Sequence, residues 1–297
     1  MLHQLPEFCI GIADLGAAFL LLYGLHRMAS PVTAPSGILV AGIGMAVAIL
    51  ASFLGAFGVT GAAQHLLPEN IGLALVALVI GGGIAWFAGR RVAMTAMPQM
   101  VAIYNGMGGG AAGAIAAVEL FGRHAVGSIA LTVTLLGALI GAISFSGSII
   151  AWAKLQDVLP RPLRFRAQRI VNAAVFVVTV FLGGYLLVLD RSGALPPYFI
   201  IGFFMLAMLA GILLTLPIGG ADMPVIISIY NAFTGLAVGL EGFVLQNPAL
   251  MIAGMVVGAA GRHQPTNPPA DDQGRVSAWP AESSSSASGC GSERVRA

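Results

Sequence analysis

The sequence predicts an all-α integral membrane protein, a polytopic bundle of eight complete transmembrane helices followed by a truncated ninth and a disordered C-terminal tail. Its residues are 58% hydrophobic and 9% charged, with a mean hydropathy of +0.91, which excludes an ordinary soluble domain. Eight apolar runs have about the 20 residues that a helix needs to cross a bilayer core. The alternation of polar and apolar residues that is typical of membrane-spanning strands is absent.

The predicted spans follow one another in chain order, and each is close to the length that a bilayer requires. They are residues 8–26, 36–57, 71–89, 99–120, 125–151, 169–190, 197–217 and 224–245. The ninth apolar run covers 249–260 and is too short to span. Cys9 and Cys290 lie far apart in different surroundings, so we expect neither a disulfide nor a metal site.

Positive charges predict the orientation of the bundle. Taken alternately, the connections on one side hold Arg27, Arg90, Arg91, Lys154, Arg161, Arg164, Arg166 and Arg169, and those on the other hold only Arg123 and Arg191. Because positive residues mark the cytoplasmic side, we expect the N-terminus outside and the basic loop 152–168 in the cytoplasm. The net charge of +2 and the lack of a basic patch suited to nucleic acid predict no nucleic-acid partner.

One pattern occurs twice, in the fourth and eighth spans. It reads Met-Pro-x4-Ile-Tyr-Asn-x3-Gly-x-Ala-x-Gly and begins at Met97 and again at Met223. Both spans would enter the membrane from the same side, with Asn105 and Asn231 about 10 Å along their helices. A carboxamide at that depth in lipid needs a polar partner, which predicts a shared polar site. The alternative is a hydrogen bond that merely holds two helices together.

Glycines in the first copy match a dinucleotide-binding fingerprint, Gly108-x-Gly110-x-x-Gly113. That fingerprint needs a preceding strand and a helix that opens at the glycines. Here the glycines lie inside a transmembrane run, where small residues allow neighbouring helices to approach closely. We therefore interpret them as a helix-packing surface.

The composition changes abruptly after Gly261, which divides the chain into a transmembrane domain, 1–261, and a tail, 262–297. One interpretation is a disordered cytoplasmic tail. The other is a frameshift near residue 261, because codons read one nucleotide forward can encode Thr-Ser-Leu-Leu-Thr-Leu-Leu-Leu-Met-Thr-Lys-Ala-Val. That reading would complete the ninth helix and end it with a cytoplasmic lysine.

Three segments together resemble one known family. They are Met97-Pro98-Gln99-Met100-Val101-Ala102, then Phe145-Ser146-Gly147-Ser148 with Ala151-x-x-Lys154-Leu155, and Ile218-Gly219-Gly220-Ala221-Asp222-Met223-Pro224-Val225. The sequence from about 8 to 261 resembles the membrane domain of the β subunit of proton-translocating nicotinamide nucleotide transhydrogenase. The shifted frame also resembles the end of that family's last β-subunit helix, which favours the frameshift.

The resemblance implies that hydride transfer between NAD(H) and NADP(H) is coupled to proton movement through this domain. NADP(H) would bind a soluble domain that follows the last helix, and NAD(H) would bind the α subunit. We therefore expect this chain to bind neither cofactor and to lack catalytic competence alone. The implied partners are the α subunit, the NADP-binding domain and the lipid of the inner (plasma) membrane, in a dimer of αβ units.

The resemblance places a proton path at Asn105, Ser148 and Asn231, with Asp222 as a contact to the NADP-binding domain. Isolated, Ser148 would bond the carbonyl one turn earlier, and Asp222 would be a carboxylate favoured by its helix N-terminus. Some relatives carry histidine where this chain has Asn105. Because asparagine cannot titrate, the group that holds the proton must lie elsewhere.

Three further carboxylates are secondary candidates. Asp14 lies within the first span, where a charge is costly and so points to function. Glu119 and Glu241 lie near the outer ends of their helices, where they could line the exit, although solvation at the interface is the simpler expectation. The rival predictions for the whole chain are a stand-alone membrane transporter or channel, and an inactive truncated fragment.

Overall fold

The chain is helical throughout the part that the structure describes. This computed structural model describes residues 4–56, 67–122, 127–159, 161–191 and 195–260. Those residues form α1 (Gln4–Met28), α2 (Ala34–Ala56), α3 (Leu67–Arg91), α4 (Met97–Gly122), α5 (Ser128–Leu155), α6 (Gln168–Arg191), α7 (Pro197–Thr215), α8 (Met223–Val244) and α9 (Pro248–Ala260). Short 3₁₀ turns, Met94–Ala96 and Gly220–Asp222, immediately precede α4 and α8. No strand occurs among the described residues.

The predicted fold class is confirmed. Helices α1 to α8 are each long and apolar enough to cross a membrane, and the described residues contain eight such spans. Helix α9 is shorter, with 13 residues, and Ala260 is the last residue that the structure describes. The predicted tail and the frameshift lie outside the described residues and stay predictions.

Helix α5 is the centre of the bundle. It packs against α4, α7 and α8, and α4 also contacts α8. Helix α6 covers α7, α9 covers α8, and α1 pairs with α2 and touches α9. Helix α3 is apolar between its charged ends and has no buried residue. The polar side chains of α4, α5 and α8 can therefore meet one another away from lipid.

Glycines bring the central helices into backbone contact. A Cβ on Gly141 of α5 would lie 2.9 Å from the carbonyl oxygen of Gly109 and 2.9 Å from the nitrogen of Gly113, both on α4. A Cβ on Gly235 of α8 would similarly overlap the backbone of Gly258 on α9. Close approach through small residues is how helices associate in lipid, where apolar surface gains little from leaving the solvent. The structure thus confirms that the glycines of α4 pack against a neighbouring helix.

The loop after α5 is held against the end of α7 and the start of α8. The Leu163 N–H donates to the Leu216 carbonyl at 3.2 Å. At the same end of the bundle, Ala102, Ala151, Met223 and Ile227 form one buried apolar cluster. We call this end, where α4 and α8 begin and residues 156–159 and 161–167 lie, the basic side. The opposite side is the end where α4 and α8 finish.

Candidate functional site

Asn105 of α4 and Ser148 of α5 form a buried pair. Asn105 is 7% exposed and Ser148 is fully buried. The Asn105 Nδ2 donates a hydrogen bond to the Ser148 Oγ at 2.9 Å. Gly106 follows Asn105, and a Cβ there would lie 3.2 Å from the Ser148 Cβ, so a small residue helps the two helices approach. Two residues of the predicted proton path are therefore brought into direct contact.

A second set of hydroxyls extends this pair to α8. The Ser144 Oγ lies 2.6 Å from the Thr234 Oγ1 and donates to the Tyr230 carbonyl at 2.9 Å. The Thr234 Oγ1 also donates to the main-chain carbonyl oxygen of Asn105 at 3.3 Å. Ser144 and Ser148 are one turn apart on α5, so both face the same interface. The result is a polar cluster between three helices, formed by Asn105, Ser148, Ser144 and Thr234.

The two copies of the repeated pattern present different residues to the interior. In α4, Asn105 is buried and Tyr104 is 42% exposed. In α8 the tyrosine is buried, with Tyr230 4% exposed, and Asn231 is half-buried. Adjacent helical residues are about 100° apart, so the two helices differ in rotation by about one residue. Among the described residues, no hydrogen bond joins Asn231 to Asn105 or Ser148.

Tyr230 links the cluster to α7. Its Oη lies 2.6 Å from the Thr215 Oγ1, and Thr215 is fully buried. Its ring occupies the space that a side chain at Gly147 of α5 would need. Within the described ranges, the Asn105 Oδ1 is buried without a hydrogen-bond partner. This amide oxygen is therefore an acceptor that the cluster leaves available for water.

Glu241 of α8 is fully buried rather than solvated at the interface. Neither carboxylate oxygen has a hydrogen-bond partner in the part of the chain that the structure describes. The carboxylate occupies the space beside Gly137 of α5, where a Cβ would overlap it. Glu119 of α4 is half-buried and close enough for its charge to act on Glu241. The expectation of interfacial solvation is therefore wrong for Glu241, because protein encloses it.

The two candidate aspartates, Asp14 and Asp222, lie away from the cluster. Asp14 is 8% exposed, but its helix α1 packs on α2 and α9 rather than on α4, α5 or α8. Asp222 ends the 3₁₀ turn before α8, is exposed, and makes no capping hydrogen bond to that helix. It lines a cleft on the basic side together with Arg164, Arg166 and Arg169.

Lys154 of α5 connects that helix to the chain segment between α7 and α8. It is buried, and its Nζ donates to the carbonyl oxygens of Leu216 and Ile218, just before the turn that contains Asp222. A buried ammonium is tolerated because these carbonyls receive its protons. From the sequence, Lys154 was a topology signal and part of a family motif, and the contact with the end of α7 was not predicted.

Replacing Lys154 with methionine is expected to lower the free energy of unfolding by about 1–3 kcal/mol, because two buried carbonyls lose their donor. Thermal unfolding of the purified chain in detergent would measure the change. Arg161→Met removes an exposed cation from the same loop and is the matched control. Equal melting temperatures for the two variants would contradict a structural role for Lys154.

Several residues of the cluster were not predicted from the sequence. Ser144 and Thr234 contribute hydroxyls to it, and the hydroxyls of Tyr230 and Thr215 form a pair beside it. A usable signal was present, because Ser144 and Ser148 are spaced i, i+4 on α5, as Tyr230 and Thr234 are on α8. Hydroxyl residues are common in apolar helices, however, and can bond their own preceding turn, as Thr179 does with the Val175 carbonyl.

The fingerprint glycines do not form a phosphate-binding turn, and no metal-binding cluster occurs among the described residues. Those residues contain no group of three or more His, Cys, Asp or Glu side chains that could hold a metal. The fingerprint glycines lie within α4, and a Cβ on Gly110 would lie 2.9 Å from the Phe145 ring. A dinucleotide phosphate needs a free helix N-terminus, which these glycines do not provide.

The fold and this site define a multi-pass α-helical membrane protein with a buried polar cluster between three of its helices. The profile of the NAD(P) transhydrogenase beta subunit family matches residues 10–264. The chain belongs to this family, which confirms the resemblance seen in the sequence.

Two relatives named NAD(P) transhydrogenase subunit beta, both from Rhodospirillum rubrum, are each 37% identical to the chain over 254 residues. The matched region covers 82% of this chain and 52% of each relative. The chain thus spans about half the length of the curated relatives it matches.

Proposed function

We propose that this chain is the proton-translocating membrane part of an NAD(P) transhydrogenase, in which proton movement is coupled to hydride transfer between NAD(H) and NADP(H). The observation that supports this most directly is the buried cluster of Asn105, Ser148, Ser144 and Thr234, with one amide oxygen left available. Polar groups inside a membrane bundle mark ion and proton pathways. Membership of the NAD(P) transhydrogenase beta subunit family supports the choice of this reaction.

In this proposal the proton path contains two polar sites. The cluster around Asn105 lies nearer the basic side, and Glu241 lies near the opposite end of α8. Thr234 and Glu241 are about 10 Å apart along the helix. Between the two levels, Gly109 and Gly113 of α4 meet Gly141 of α5 in backbone contact. A proton therefore crosses only when this contact rearranges, as in alternating access around a fixed site.

The proposal assigns the basic side to the cytoplasm, from the excess of arginine and lysine there, and the N-terminus to the outside of the inner membrane. Asp222 and the arginine-lined cleft beside it are the proposed contact for the NADP-binding domain. Asn231 stays a proposed member of the proton path, and Asp14 stays a secondary candidate for it. The proposed partners are this domain, the α subunit, a second αβ unit and lipid. This chain itself would bind no cofactor and no nucleic acid.

Reconstitution tests the function directly. The full chain would be placed in proteoliposomes with a transhydrogenase α subunit and an NADP-binding domain. We expect NADH-driven reduction of an NADP⁺ analogue to move protons across the membrane, and omission of either partner to abolish both activities. Proton or solute flux by the chain alone, independent of nucleotides, would instead support a stand-alone transporter. Absence of flux from a folded, fully assembled sample would identify an inactive fragment.

A further inference from the structure

A fully buried carboxyl group without a partner is the least expected feature of the bundle. Glu241 has no exposed surface, and within the described residues neither of its oxygens accepts or donates a hydrogen bond. An ionised carboxylate enclosed in this way is strongly disfavoured unless it is paired, whereas its protonated form is neutral. The burial is built into the helix contact, because Gly137 provides the space that the carboxyl group fills.

Among the described residues, the helices packed against Glu241 offer it no counter-charge. Helix α9 contains no titratable residue, and the only charged residue of α5 is Lys154, at the other end of that helix. Lys154 lies about 25 Å from Gly137 along the helix axis. The one titratable neighbour from α4 is Glu119, which has the same charge as Glu241. Two neighbouring carboxyl groups, of which Glu241 is fully buried, hold one proton between them more readily than they hold two negative charges.

We infer that Glu241 is the proton-holding group of this chain, with Glu119 as the second carboxyl group through which the proton enters or leaves on the side opposite the basic loop. An oxygen of Glu241 takes up one proton to form an O–H bond and later releases it, and no other bond changes. The direction and coupling of this transfer rest on the proposed function, whereas the binding of the proton itself does not. The inference also supplies the titrating group that Asn105 cannot be.

Infrared spectroscopy of the full chain in lipid nanodiscs tests proton binding without any nucleotide or partner. We expect the carbonyl band of a protonated carboxyl group at neutral pH, and we expect Glu241→Gln to remove it. Glu119→Gln should keep the band but change the pH at which it disappears. Gly137→Ala should keep the carboxyl group and shift the band, because the new methyl group displaces the side chain. Glu69→Gln changes an exposed carboxyl group at the start of α3 and is the matched control.

Absence of the band at neutral pH in the unaltered chain would overturn the inference. So would a band that survives Glu241→Gln and is lost with Asp14→Asn, which would assign the proton to the other buried carboxyl group. In the reconstituted enzyme, Glu241→Gln should slow proton translocation at least about tenfold, which corresponds to a barrier about 1.4 kcal/mol higher, while Glu69→Gln leaves the rate unchanged. If the unaltered enzyme moves no protons, the proposed function fails, and the infrared titration still decides whether Glu241 holds a proton.

Discussion

Replacing Asn105 with leucine is expected to lower proton translocation by the assembled enzyme at least about tenfold, equivalent to about 1.4 kcal/mol. Leucine has the same branched shape but no amide, so the Ser148 hydroxyl loses its donor and the cluster loses its available oxygen acceptor. Loss of the interhelical hydrogen bond itself should destabilise the bundle by only about 0.6–2 kcal/mol. Proton flux into proteoliposomes, normalised to folded protein, would measure the effect.

Tyr104→Leu is the matched control, because Tyr104 is the adjacent residue of α4 and is largely exposed. It should leave flux unchanged. Ser148→Ala removes the other partner of the same hydrogen bond, so the double variant should lose less than the sum of the two single losses. If Asn105→Leu melts at a lower temperature but pumps normally, Asn105 serves only to hold α4 against α5.

Replacing Gly141 with valine is expected to prevent α4 and α5 from packing and to lower the free energy of unfolding by more than about 3 kcal/mol. Even a Cβ at this position would lie 2.9 Å from backbone atoms of both Gly109 and Gly113. Backbone atoms cannot move aside as the tip of a side chain can, so the helices themselves must separate. Separation of α4 from α5 would also break the Asn105–Ser148 hydrogen bond. The folded yield and the melting temperature in detergent would show the loss.

Gly82→Val in α3 makes the same chemical change where no atom lies within 4 Å of the new Cβ. It should leave the folded yield close to that of the unaltered chain. Similar folded yields for the Gly141 and Gly82 variants would show that α4 and α5 separate easily. In that case the contact could not act as the barrier to proton movement between the two polar sites.

The spans were predictable because a bilayer imposes one length on every helix that crosses it. The predicted run 99–120 lies within α4 (Met97–Gly122), and 224–245 closely matches α8 (Met223–Val244). The 3₁₀ turns before α4 and α8 were not predicted. They are short segments in the connections between helices, and hydrophobicity along the chain contains no signal for them.

The candidate site was predictable only in part. The family resemblance placed Asn105 and Ser148 on one proton path, but their hydrogen bond was not predicted, because nothing local to either residue points to the other across 43 positions of sequence. Thr234 and Ser144 were overlooked because hydroxyl residues in apolar helices most often bond their own backbone. The burial of Glu241 was also missed, since its position near a helix end suggested interfacial water. Its enclosure depends on Gly137, which belongs to a different helix.

The sequence by itself determined that eight helices of membrane-spanning length follow one another in the described part of the chain. It also determined their ends to within a few residues, and that two of them contain the same Ile-Tyr-Asn pattern. Only the tertiary structure decided that α4 turns its asparagine inward while α8 turns its tyrosine inward. The physical reason is that lipid is as apolar as the interior of the bundle, so hydrophobicity does not set the rotation of a helix about its own axis. That rotation is set by which glycines allow backbones to touch and which hydroxyl and amide groups find partners, and both depend on the neighbouring helices.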